Sequence, residues 1–98
     1  MYASVVELKV WPADVEEMIR VYRDHVAPDV ERQPGFKEAL LLTDRWAGTG
    51  MSIVLWETEE ERQAGEFSEF HQEQISHFAD LFNETPVRKH YEVTVALK

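Results

Sequence analysis

Two side chains in this sequence stand out as able to do chemistry. Trp56 closes the apolar run MSIVLW. There its indole would serve as a wall for a flat aromatic ligand, or simply as core, because tryptophan buries a large area whatever its role. His71 sits in the middle of an apolar stripe formed by Phe67, Ile75, Phe78 and Phe82. An imidazole at such a position needs a hydrogen-bond partner or open pocket space. Two readings stand for it. One is a general base, or a donor that orients a ligand. The other is a satisfied core histidine bonded to Tyr22 or Glu7. Tyr22 lies on the apolar stripe of an earlier helix, from which its hydroxyl can reach the same pocket. These residues come from different elements, so only the fold can join them; where it does, Tyr22, Phe67, Ile75 and Phe78 are the expected ligand-lining residues, with His71 and Trp56 at the reacting position.

Other chemistries find no support in the residues. There is no cysteine, which excludes disulfides, thiolate catalysis and cysteine-based metal sites. His71 and His77 are six apart and fall on different helix faces, a poor metal pair beside an i, i+4 arrangement. No glycine-rich phosphate loop leads from a strand into a helix, and there is no nucleophile elbow. A net charge of −9 repels phosphate backbones and anionic lipid. Neither a nucleic acid nor a membrane is therefore expected as a partner. No run approaches the roughly 20 apolar residues of a membrane span. No basic region followed by a long apolar run opens the chain, so a cytoplasmic setting is compatible.

The elements that must position these residues are set by periodicity and punctuation. Residues 2–10 (YASVVELKV) read as a strand, ended by Pro12. Asp14 with Glu17 gives a helix-start pattern. Val15, Met18, Ile19, Tyr22 and Val26 then recur at helical spacing over roughly residues 14–32. Pro28 predicts a kink or break in that helix, and Pro34-Gly35 ends it. FKEALLLT (36–43) and MSIVLWE (51–57) are strands joined by the hairpin turn Asp44–Gly50. Thr58-Glu59-Glu60-Glu61 is a capping-box pattern that opens a second helical segment. Gly65 is expected to split that segment into a short turn and a main helix near 66–83. A last strand carries Tyr91, Val93, Val95 and Leu97 in alternation.

With 98 residues, 44% of them apolar, the chain suits one domain spanning 1–98. The order strand, helix, strand, strand, helix, strand predicts an α+β, ferredoxin-like βαββαβ fold with an antiparallel sheet and both helices on one face. Strands one to three are apolar on both faces, as SVVELKV, EALLL and SIVLW show. A strand of that kind expects cover on both sides. The helices supply one cover, and a second copy of the chain is the simplest source of the other.

Pro34-Gly35-Phe36 entering strand two, the Asp44–Gly50 hairpin and Leu55-Trp56-Glu57 leading into an acidic helix start resemble the antibiotic biosynthesis monooxygenase-like domains of the dimeric α/β-barrel superfamily. The resemblance covers essentially the whole chain. It implies a homodimeric α/β barrel. Members of the group include cofactor-independent oxygenases of polycyclic aromatic compounds, and others degrade haem. The haem-degrading branch uses a strand-one asparagine, a strand-three tryptophan and a histidine on the second helix. Trp56 matches the tryptophan, but the only asparagine here is Asn83, and His71 stands further from Trp56 than that pattern suggests. Haem activity is therefore not carried over.

Three functions compete on this basis. The first is a monooxygenase for a hydrophobic aromatic small molecule that needs no bound cofactor. The second is a non-catalytic module holding the same class of ligand. The third is a structural dimer whose pocket is filled by its own phenylalanines.

Overall fold

The computed structural model describes residues 1–67 and 80–98, except for the side chains of residues 66 and 67. Its framework is one four-stranded antiparallel sheet: β1 (Tyr2–Lys9), β2 (Phe36–Asp44), β3 (Thr49–Trp56) and β4 (Val87–Glu92), in the spatial order β2-β3-β1-β4. The two central strands are β1 and β3, in register from Tyr2↔Trp56 to Lys9↔Thr49. This is the α+β, ferredoxin-like arrangement the element order predicts, and the sheet of the single chain is open, with edges at β2 and β4.

The first helical segment is one run with three geometries. A 3₁₀ turn (Pro12–Asp14) leads into α1 (Val15–Val21), a π turn (Tyr22–Val26) and α2 (Ala27–Val30). Of the kink or break expected at Pro28, the break does not occur, and the helical run continues through it as α2. The Ala27 N–H bonds the Tyr22 carbonyl, an i to i+5 bond that shifts the register just ahead of the proline. Pro28 then falls in the first turn of α2, where its missing donor costs least. Asp14 precedes α1 but makes no side-chain cap, and Glu17 pairs with Arg20 instead. The second predicted cap does form. The Glu61 N–H donates to Thr58 Oγ1 at 3.2 Å, and the Thr58 hydroxyl donates to Glu61 Oε1 at 3.0 Å.

That cap starts α3 (Glu59–Phe67), which runs through Gly65 without the expected interruption. Gly65 answers to packing instead: a Cβ there would stand 2.5 Å from Cη2 of Trp56. The centre of the predicted 66–83 helix lies outside the described residues.

The last strand is shorter than its alternation suggests. β4 pairs with β1 up to Glu92↔Tyr2, and β1 begins at Tyr2. The Val93 N–H still bonds the Met1 carbonyl at 2.9 Å, and Val95 and Leu97 stand 76% and 93% exposed outside any strand.

The core lies between the sheet and the helices. Leu8, Val10, Val54 and Trp56 meet Val15, Met18, Val21, Tyr22, Val26 and Val30, with Val6, Ala39, Leu41 and Phe82 packed at the margin. Alternation along each strand puts the remaining residues on the other face. By register these are Ala3, Val5, Met51, Ile53, Leu55, Leu40, Leu42, Val87 and Tyr91. No helix among the described residues is long and apolar enough to cross a membrane.

Candidate functional site

Trp56 ends β3 on the helix-covered face and is only 4% exposed. Its Nε1–H donates to Ser4 Oγ at 3.1 Å, in a buried bond between the two central strands. The far edge of the ring lies against Gly65 of α3. The indole is thus fixed on three sides: by its own strand, by a hydrogen bond across the sheet floor, and by a helix that lacks a Cβ where the ring passes.

Tyr22 opens the π turn and is 7% exposed. Single π turns inside helices are frequent at functional positions, because the extra residue per turn re-aims side chains. The Ser52 hydroxyl donates to the Tyr22 phenol oxygen at 3.3 Å. Burial pushes the Tyr22 phenol above the ordinary tyrosine range, and the Ser52 bond opposes that shift. Ser52 is on the same face of β3 as Trp56, and Ser4 occupies that face of β1. Two hydroxyls therefore interrupt the apolar positions of the central strands on this face, each holding one aromatic side chain.

Three polar residues of this layer escape a reading of the sequence. Ser4 and Ser52 break the apolar alternation at helix-facing positions, which is the signal they leave in SVVEL and MSIVLW. Arg62, on α3, is 3% exposed and pairs with Glu59 at 3.8 Å. It lies one helical turn before Gly65, at i+3 spacing, hence on the helix face that meets Trp56. Nothing in the sequence separates Arg62 from the surface arginines, because its burial comes from tertiary packing. His90 pairs with Ser4 across β1 and β4 and is exposed.

Of the expected site residues, Trp56 and Tyr22 share one core. His71, Ile75 and Phe78 lie outside the described residues, as does the Phe67 side chain. Tyr22 bonds Ser52. A 250 Å³ crevice lies beside the site, between the loop at Gln33 and Pro34 and the α3 residues Glu61, Ala64 and Gly65.

The fold is shared with solved structures whose names refer to antibiotic biosynthesis monooxygenase and with others of unknown function. Two solved structures, each named "putative antibiotic biosynthesis monooxygenase", align over nearly the full length. The protein from Bordetella bronchiseptica is 19% identical with a TM-score of 0.81, covering 96% of this chain and 97% of its own. The one from Deinococcus radiodurans is 16% identical with a TM-score of 0.81, covering 100% and 97%. A protein of unknown function from Nitrosomonas europaea is 18% identical, also at 0.81, covering 99% and 92%. At these identities the likeness is one of fold. No family model and no curated protein sequence matches the chain.

Proposed function

We propose that this protein is a homodimeric, monooxygenase-like protein that takes a flat, hydrophobic aromatic small molecule between its sheet and helices. The observation that carries this reading is the fixed indole of Trp56. A buried tryptophan whose N–H is satisfied by Ser4, and whose ring faces a helix glycine, offers a rigid aromatic surface at no ordering cost. The fold neighbours named as monooxygenases support the class.

In this reading the chemistry needs no bound cofactor. A base removes a proton from an acidified substrate CH₂, and the resulting carbanion gives electrons to dioxygen. The CH₂ becomes C=O, one oxygen atom stays with the product, and the other leaves as water. His71 is the proposed base. Arg62, a cation held in the buried layer, would stabilise the substrate anion. Tyr22 would line the same space.

The homodimer is proposed from the second face of the sheet. Leu40, Leu42, Val87 and Tyr91 are 43%, 50%, 48% and 54% exposed around a middle of Val5, Ile53 and Leu55. Contiguous apolar surface of this kind marks an interface.

Oxygen uptake with a quinol or anthrone-type substrate tests the activity. Uptake above that of boiled protein, lowered about 100-fold or more in His71→Ala, is expected for a general base. Ligand binding without uptake would leave a binding module, the second reading. The close packing of Trp56, which is 4% exposed, favours the third reading, a structural dimer whose interior is filled by its own side chains.

A further inference from the structure

The hairpin between β2 and β3 carries a side chain that no described residue covers. Trp46 is 95% exposed. The turn beneath it is rigid. Asp44 Oδ1 accepts from the backbone N–H groups of Trp46 and Ala47 at 3.0 and 3.1 Å. The Gly48 N–H closes onto the Asp44 carbonyl at 3.0 Å, and the Gly48 carbonyl accepts from Val10 N–H at 2.8 Å. Arg45 pairs with Glu16 at the start of the helix. Gly48 takes a φ of +74°, and a Cβ there would stand 2.3 Å from the Val10 carbonyl oxygen. A large aromatic on a turn anchored at this many points has little freedom left to lose on binding, which is the condition for an interface anchor.

The open face of the same sheet carries a matching hole at the same end. A groove of about 450 Å³ is lined by Leu42, Met51 and Val87, with Glu7 between Met51 and Val87 in the register and Glu84 among its walls. It is large enough for an indole, and a lining carboxylate can accept the N–H that a buried tryptophan needs to satisfy. The Glu7 and Glu84 carboxylates are held by Lys89 at 3.1 Å and Lys9 at 3.3 Å, which fixes that part of the lining.

We infer that Trp46 of one copy inserts into this groove on a second copy. The inference rests on the homodimer proposed above and names its anchor. The sheet order makes the exchange reciprocal. If two open faces pack about a two-fold axis running along the strands, both hairpin ends stay at one end of the dimer. The β2 edge of one copy then lies over the β4 edge of the other, because the order β2-β3-β1-β4 reverses across the axis. The β2–β3 hairpin is thereby carried over the side where Glu7, Glu84 and Val87 stand. Such an isologous contact, in which i meets j and j meets i, closes on itself and builds no filament.

Trp46→Ala and Trp46→Phe test the anchor. Both sit at an exposed position, so the fold is retained. Sedimentation over a dilution series gives the dimer affinity. The difference in emission between the wild type and Trp46→Phe reports the surroundings of Trp46. The expected result is a dimer weakened about 30-fold or more by Trp46→Ala. The Trp46 emission should also be blue-shifted and shielded from iodide at high protein concentration, and red and quenchable on dilution. A dimer of unchanged affinity in Trp46→Ala, or a Trp46 equally quenched at every concentration, overturns the anchor and leaves the homodimer standing. A wild-type monomer across the series removes both.

Discussion

The two faces of the sheet are built from nearly the same residue types and differ in how far they are covered. On the helix-covered face, Leu8, Val54 and Trp56 are below 10% exposed, under Met18, Tyr22 and Val26. On the other face, Leu40 and Leu42 are about half exposed beside Val87 and Tyr91. Composition does not distinguish the faces. What distinguishes them is the presence on one face of hydroxyls and of small positions that fit particular partners. Ser4 meets an indole N–H, Ser52 meets a phenol, and Gly65 leaves room for a ring. The open face carries the Glu7–Lys89 and Lys9–Glu84 pairs toward its β4 side, beside an apolar stretch of Leu40, Ile53 and Leu55, the mixture of apolar and polar surface found at interfaces. One face is adapted side chain by side chain to its own chain, and the other lacks that fitting, as the proposed homodimer requires.

Substitutions on each face should separate these roles. Trp56→Ala is expected to have the largest effect on the fold, about 3–5 kcal/mol in denaturant melts, since it opens a cavity and leaves Ser4 without its donor. A loss below about 1 kcal/mol would mean that the indole already borders empty space, which would favour the pocket over the core.

Tyr22→Phe should cost less, about 0.5–1.5 kcal/mol, the usual net worth of one hydrogen bond. It also carries a pH signature. The Tyr22 phenol is raised by burial, so the folded state prefers it protonated. That contribution is fully present below the unfolded tyrosine value of about 10 and is lost as pH rises through the higher folded value. A tyrosinate absorbance titration should show one late component in the wild type that is missing in Tyr22→Phe. Its persistence would place the perturbation on another tyrosine.

Leu40→Glu should change the intrinsic stability of the monomer least, within about 0.5 kcal/mol, because the position is already 43% exposed. Its effect belongs to the assembly: light scattering after gel filtration should give half the wild-type mass. A large loss of monomer stability would show that the open face is folded against its own chain, and the contrast between the faces would collapse.

The sequence by itself determined the order of elements, the hairpin, the cap at Thr58 and the two-sided apolar character of the strands. Each of these is written in residues a few positions apart, as a period of two or about 3.6 or as a cap with its partner three residues on. It also marked Trp56 and Tyr22, since bulky aromatics on an apolar stripe have to be buried. The partners of those residues were decided only in three dimensions. Ser4 finds Trp56 across 52 positions of sequence, and Ser52 finds Tyr22 across 30. Both pairings depend on how β1 registers against β3 and on how the helix sits over them, and no local pattern encodes either. The same holds where local signals misled. Pro28 reads as a breaker, but a π turn ahead of it absorbs the missing donor. Gly65 reads as a breaker, but it is the place where an indole passes a helix. The alternation through Leu97 reads as strand, but the paired part of β4 ends at Glu92↔Tyr2, and strand length is set by pairing, which alternation does not encode.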